Sequence, residues 1–507
     1  MGEPESTGSL VKYYCTAGNG MERFLIAEVK KKLAAEDVCQ IAGKVLFSSS
    51  VAINRVSELK AAERLFLLLR RDSPVHLSAH TGPAKAASVL QSRVLGDVAQ
   101  WTGAAVTWSR LQGELSVRRA TGEKEQEEEE EEEEGGSEEG REEELSRRTC
   151  GVKAQRLKRK RDEEEEEEQR PERKTGDTTD DHGTRPNRTK PEPSVLAPPT
   201  FRVSCKCTGP LTRYFSTQEV SRVIGGGLSR VLGWKADLKN PQLEVNVSLS
   251  DDHLLLGFPL TRLPLANRSY MKTTGLRSTV AWALAAMAHI QPGSRVLDPM
   301  CGVGTVLIEA AQEHEAVCFL GVDNDDGQLQ RANENVAFAE LPHRIQLLKA
   351  SSMMLPLHSS SVDAVVCDLP FGRKFSTKTN MAANLPLILA EMERVLRVGG
   401  TLVLLLTPQL SCLLKRLLAQ KDAGATCNQG AEPPTGKPRR PSPPPSSTEQ
   451  QTDPVLGGVK PPRTQETDSA LQYGAPPPRC SMEHQETLRV SLGAIDGLLH
   501  KYVKTDS

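Results

Sequence analysis

A chain of 507 residues, 37% hydrophobic and with a formal net charge of −2, is too long for one compact core and too polar to fold along its whole length. Near-neutrality does not exclude a nucleic-acid partner, because residues 123–170 hold 22 acids against 11 bases and leave the remaining chain at +9. No apolar run approaches the roughly 20 residues that cross a bilayer, no signal-peptide core opens the chain, and the 11 scattered cysteines include no C-x-x-C pair, so reduced intracellular thiols and no metal site are expected.

The opening MGEPES fits the loose myristoylation pattern through Gly2 and Ser6, with no second membrane anchor nearby. Residues 11–120 read as a small α+β module. "VKYYCT" is a strand, "AGNG" a turn, and the next segment a helix with Phe24, Leu25, Ala27 and Val29 among charges; "GKVLFSS" and "RLFLLLRR" are further strands. Residues 121–199 turn to glutamate runs, proline and polar residues, a composition expected to be disordered. The basic "RLKRKR" at 156–161 reads equally as a nuclear-import handle or as charge balance in a linker.

Residues 200–268 form a second α+β module. A strand starts at Phe201, Ser216 or Thr217 caps a helix with Glu219 in its first turn, and "LEVNVSLSDDHLLLGF" is a hairpin turning at Asp251 and Asp252. A helix follows Ser278. Within 269–420 strands at "RVLDP", "VCFLGVD", "IQLLKA", "VDAVVCD" and "TLVLLLT" alternate with helices near 304–313, 326–339, 384–396 and 409–420, the third capped by Asn384 with Pro386 in its first turn. That alternation predicts an α/β, doubly wound, largely parallel sheet with ligands at the carboxyl ends of its strands. A proline- and serine-rich insert at 421–483 is expected to be disordered. Residues 484–505 close the chain as an antiparallel hairpin on the sheet edge.

Three strand ends carry chemistry. "VLDPMCGVGT" puts Asp298 at the first, with Gly302 and Gly304 in the turn where backbone can approach a ligand closely. Asp323 ends the second, placed to accept both hydroxyls of a ribose. The third glycine of a dinucleotide fingerprint is missing, with Leu307 in its place, so a nucleoside cofactor without phosphates fits better than a nicotinamide dinucleotide. The fourth strand, Val365, Val366 and Cys367, is apolar enough to be buried on both faces and ends in Asp368, Leu369, Pro370 and Phe371. First and fourth strands flank the switch point of such a sheet, so Asp368 is expected beside the glycine turn.

D-P-M-C-G-V-G-T followed by D-L-P-F resembles the amino-methylating class of S-adenosylmethionine-dependent methyltransferases. The upstream "FRVSCKCTG…FSTQEV…LEVNVSL…LLLGFPL" is similar to a THUMP domain, and "YYCTAGNGMERFLIAEV" to the ferredoxin-like module that precedes one. The combination resembles the THUMP-domain guanosine N(2)-methyltransferase family. That resemblance implies a Rossmann-like methyltransferase sheet and S-adenosyl-L-methionine as cofactor. It implies catalysis by Asp368, Leu369, Pro370 and Phe371, and cofactor contacts from Asp298, Cys301, Gly302, Gly304 and Asp323. Relatives carry an acid after the third strand where "KASSMM" offers Ser351 and Ser352, and Arg277 and Thr279 match positions near the cofactor's methionine end. It further implies a small structured RNA substrate (U6 spliceosomal RNA or tRNA) and a small zinc-binding activator subunit; residence in the nucleus, or also the cytoplasm, is expected from the absence of a spanning or signal segment.

The chemistry is consistent with those residue types. An exocyclic amine is a poor nucleophile because its lone pair is delocalised into the ring. Acceptors on its N–H groups, from Asp368 and the Leu369 carbonyl, turn that pair outward, and correct placement is worth many orders of magnitude in rate. Phe371 would stack on an extruded base, Pro370 would stiffen the step, and Arg373 and Lys374 would meet phosphate or solvent. Guanine presents two adjacent donors, and an ionised aspartate only accepts, so Asp368 favours guanine over adenine. The competing class is a non-catalytic RNA-binding adaptor that keeps the fold.

Overall fold

The computed structural model describes residues 9–78, 80–134, 198–369, 381–426, 482–493 and 495–506. They divide into two compact units, one of Met1–Lys12, Val51–Ser57 and Phe66–Leu260, the other of Tyr13–Ser50, Glu58–Leu65 and Thr261–Ser507.

The second unit holds the parallel sheet. Its strands are β1 (Arg295–Asp298), β2 (Cys318–Asp323), β3 (Ile345–Lys349), β4 (Val362–Asp368), β5 (Leu396–Leu406), β6 (Met482–Ser491) and β7 (Asp496–Lys504), in the order β3-β2-β1-β4-β5-β7-β6. The first five are parallel, while β7 runs antiparallel to β5 and β6 antiparallel to β7, as expected for a terminal edge hairpin. Helices α1 (Ser278–Met287), α2 (Thr305–Ala311), α3 (Asp326–Phe338), α4 (Met381–Val395) and α5 (Pro408–Thr426) accompany it. Val365, Val366 and Cys367 are wholly buried, which explains their uninterrupted apolar run. Cys367, Leu404, Leu385, Met392 and Leu414 join one continuous core on the α4–α5 side.

The start of α4 corrects one expectation. Asn384 does not cap it; the helix already runs from Met381, and Pro386 lies inside it. Met381, Ala382 and Ala383 are good helix formers, and the buried stripe of Leu385, Ile388 and Met392 outweighs the one backbone bond that Pro386 removes.

The same unit takes up the first strand, Val11–Thr16, from Tyr13 onward, the helix Glu22–Leu33, and a hairpin of Glu36–Ile41 with Lys44–Ser49. The loop before that helix lies on β6. Ser491 donates its N–H to the Asn19 carbonyl at 3.0 Å. Gly20, at φ 88°, approaches so closely that a Cβ would come 1.9 Å from the Arg489 carbonyl oxygen. Arg23 and Glu486 pair across the same contact.

Within the edge hairpin, His500 is fully buried. Its Nδ1 hydrogen-bonds the Thr487 hydroxyl and its Nε2 the Ser411 hydroxyl, both at 2.9 Å. Burial pushes its pKa down to about 4. The unfolded chain therefore takes up a proton first, and His500 should withdraw stability as pH falls from about 6.5 through about 4, on the order of 2–3 kcal/mol in all. Urea midpoints at pH 7.5 and 4.5 should differ less for His500→Gln than for the wild type.

In the first unit, Arg64–Asp72 (from Phe66) pairs antiparallel with Leu254–Pro259, which pairs antiparallel with Leu243–Leu249, itself parallel to Thr200–Cys207. Ser216 and Glu219 form the expected reciprocal cap on the helix Thr217–Leu232. Trp101, Trp234, Phe201 and Phe258 make an aromatic core with ring centroids 5.8–6.4 Å apart. Trp101 belongs to the helix Val98–Glu134, which continues through the first glutamates, past the expected onset of disorder at 121, because glutamate itself favours helix. The remainder of the acidic stretch, the cluster at 156–161, Gly2 and Ser6, and most of the insert at 421–483 lie outside the described residues.

Candidate active site

The parallel register aligns the three strand ends. Leu297 of β1 pairs with Val365 of β4, and Asp298 with Gly321 of β2. Asp323 and Asp368 thus stand two residues beyond the level of Asp298 on the strands flanking β1, and the two-residue side-chain period turns all three to one face. Two strand spacings set Asp323 and Asp368 roughly 10 Å apart at the backbone.

The turn after β1 is built on backbone groups. Cys301 N–H donates to the Val322 carbonyl at 2.9 Å, and Gly304 N–H to the Cys301 carbonyl at 2.8 Å. Gly302 N–H donates to Asp323 Oδ2 at 3.0 Å, while Asp323 Oδ1 accepts from Asp325 N–H at 2.9 Å. Gly302 and Gly304 sit at φ 54° and 81°, where a side chain is strained. A Cβ on Gly302 would meet nothing within 4 Å, so the turn presents open space along its backbone.

The carboxyls differ in state. Asp298 is 1% exposed; burial pushes its pKa well above the usual carboxylate range, and Asp368 and Asp323 push it the same way. Met300 N–H donates to it at 3.2 Å. Burial also raises Asp368, to about 7, and its Oδ1 is buried with no hydrogen-bond partner among the described residues. A buried acceptor left open in this way is costly unless something arrives to use it. Leu369 is buried and donates its N–H to the Leu405 carbonyl at 3.2 Å. Pro370 and Phe371, with Arg373 and Lys374, fall outside the described residues.

The loop after β3 joins the same rim. Ala350 N–H donates to the Asp323 carbonyl at 3.1 Å, Ser351 closes a tight turn with Met354, and Ser352 is half-buried within it. Arg277 and Thr279 share one partner. Each donates to Glu63 Oε1 at 3.2 Å, so both are engaged by the N-terminal segment of the unit.

Sequence reasoning passed over the residues that hold the site together. Glu63 is one; Thr305 and Asn335 are others. Asn335 is wholly buried and carried beside Ala332 and Val336 on the inward stripe of α3, and an amide on an apolar stripe is the signal that could have found it. Behind the turn, Glu309 of α2 is fully buried and pairs with Arg268 at 3.0 Å, while Tyr270 donates to it at 3.1 Å. Glu309→Ala leaves a buried guanidinium uncompensated, and urea unfolding should show a loss of about 3–5 kcal/mol.

Residues 266–431 match the family model described as RMKL-like, methyltransferase domain, and residues 188–258 match the THUMP domain. The U6 snRNA (guanine-N(2))-methyltransferase THUMPD2 of Bos taurus is 38% identical over 516 residues, covering 100% of this chain and 98% of that protein. The Homo sapiens protein of that name is 39% identical, with 80% of each chain covered. The chain belongs to the THUMP-domain guanosine N(2)-methyltransferase family. The tRNA (guanine(6)-N2)-methyltransferase of Thermus thermophilus is 33% identical over 45% of this chain and 68% of its own. Among solved structures, TrmN from Thermus thermophilus shares the fold, with a TM-score of 0.56, 19% identity, and coverage of 98% of this chain and 100% of its own.

Like other members of the THUMP-domain methyltransferases, the chain is an S-adenosylmethionine-dependent enzyme, and its residues fit that cofactor. The open backbone at Gly302 would accommodate a close ligand, and Asp323, with lone pairs left on both oxygens, would hold the ribose hydroxyls. When bound, S-adenosylmethionine supplies the electrophilic methyl. Among the described residues no helix is long and apolar enough to cross a membrane.

Proposed function

We propose that this enzyme places one methyl group on the 2-amino nitrogen of a guanosine in a small structured RNA, with U6 snRNA as the first substrate to test and tRNA as the second. The observation that carries the reading is the buried Oδ1 of Asp368, which has no partner among the described residues, on the strand beside the glycine turn. An ionised Asp368 offers two acceptor oxygens to the two adjacent donors on guanine's Watson–Crick edge, and the Leu369 carbonyl is the further acceptor of the reading. Holding those N–H groups directs the amine's lone pair outward and fixes the base for transfer. The family resemblance supports the further roles of Pro370 in stiffening the strand end and of Phe371 in stacking on the base, both of which lie outside the described residues. Asp298, Cys301, Gly302, Gly304, Asp323 and Ser352, with Arg277 and Thr279, form the cofactor side.

The choice of U6 follows from the THUMPD2 proteins that the chain resembles along its whole length; the tRNA enzymes match a smaller part of it. A small zinc-binding activator subunit and nuclear residence belong to the same proposal. The family resemblance supports the first, and the basic cluster at 156–161 supports the second. Transfer of labelled methyl from S-adenosylmethionine to total small RNA, followed by nucleotide-resolution mapping, tests the assignment. Label should appear as N(2)-methylguanosine in U6. Equal incorporation by the wild type and Asp368→Ala would remove Asp368 from the mechanism, and incorporation by neither would favour the RNA-binding adaptor.

A further inference from the structure

The glycine turn is held from behind as well as by its own backbone. Asn335 spends every polar atom of its side chain on this. Oδ1 accepts the Thr273 N–H at 2.8 Å, and Nδ2 donates to the Thr273 carbonyl at 2.7 Å and to the Val303 carbonyl at 2.9 Å. Val303 lies between the two glycines with positive φ. Two residues after Thr273, Gly275 donates its N–H to Thr305 Oγ1 at 3.1 Å, and a Cβ there would come 2.9 Å from Val303 Cγ2. Residues 273–275 are thus fastened to the turn and to the first residue of α2 by one amide and one hydroxyl.

We propose that Asn335 is a positioning residue for cofactor binding: through the Val303 carbonyl and both backbone groups of Thr273, it holds the 302–304 turn in its ligand-ready shape. The inference rests on the reading of that turn as the cofactor site. The hydrogen bond to Val303 fixes the orientation of the peptide joining it to Gly304. Two glycines would otherwise let that short stretch sample many conformations, since glycine has the widest backbone freedom. Without the clamp only a fraction of molecules presents the binding shape, and apparent affinity falls by that fraction. The bonds of the clamp go to Thr273, Val303 and Gly275 and, among the described residues, none goes to Asp368, so the effect should fall on cofactor binding more than on turnover.

The full-length protein tests this through two substitutions. Asn335→Ala removes the whole clamp, and Thr305→Val removes only the Gly275 anchor while keeping shape, so it reports even if the first variant fails to fold. S-adenosylmethionine binding by calorimetry, KM for that cofactor, and kcat at saturation are the readouts. Asn335→Ala is expected to weaken binding and raise KM at least tenfold, and Thr305→Val three- to tenfold, with kcat within threefold of wild type in both. Unchanged affinity with only a lowered melting temperature would reduce the clamp to a structural element and overturn the proposal. So would a fall in kcat at unchanged KM. If wild type itself fails to bind S-adenosylmethionine, the assignment of the turn fails first, which separates the two claims.

Discussion

Asp368→Asn should abolish most methyl transfer and yet make the folded protein more stable at neutral pH and above. Loss of the acceptor pair at the reacting amine is expected to lower kcat by about 10²–10⁴-fold. The stability change follows from the same carboxyl. Burial raises its pKa in the folded state from 3.8 to about 7, so the native protein binds a proton that the unfolded chain has already released. Stability therefore declines as pH rises from about 4 through about 7. At pH 8 the wild type carries a desolvated charge that asparagine does not, a difference on the order of 2–4 kcal/mol. At pH 4 the two proteins should melt together. The wild-type kcat/KM should rise through about pH 7 as Asp368 ionises, because only the ionised form offers acceptors to both guanine donors. A variant that lost activity and stability together at pH 8 would contradict this account of the site.

Asp323→Ala should act on the other half of the pocket. That carboxylate receives the Gly302 N–H and, in the proposed complex, the ribose hydroxyls. Charge-assisted bonds of this kind contribute about 1.5–3 kcal/mol each, so losing the ribose contacts together with the anchor on the turn should weaken S-adenosylmethionine binding by roughly 10²–10³-fold. The check is thermal protection. A cofactor concentration one hundred times the wild-type Kd stabilises the wild type by about 2.7 kcal/mol and should leave Asp323→Ala nearly unshifted. Equal protection of both would place the cofactor elsewhere.

What the sequence makes legible here is what local pattern encodes. The apolar run at Val365, Val366 and Cys367 announces a strand covered on both faces, and the glycines at 302 and 304 announce a turn that needs positive φ. The carboxylates at the strand ends follow from the topology. Elements set by distant partners were not legible. Glu36–Ile41 is half-exposed and charged at its start, and pairs only because Lys44–Ser49 lies beside it. The "VGG" before "TLVLLL" looks like a loop, yet it is a bulge within β5. Gly399 sits at φ 76°, and Gly400 passes so near Asp363 that a Cβ would come 2.9 Å from its carbonyl oxygen. Arg277 and Thr279 reach Glu63 from more than 210 residues away, and no spacing rule anticipates that.

The contact of Gly20 and Arg23 with the terminal hairpin has a consequence for synthesis. Arg23 and Glu486 are 463 residues apart. At ribosomal speeds of about 5–20 residues per second, the segment Asn19–Arg23 emerges roughly 20 to 90 seconds before the strand it touches exists. Nascent chains stalled ahead of residue 482 should therefore leave the segment Asn19–Arg23 more open to protease than it is in chains that include the hairpin.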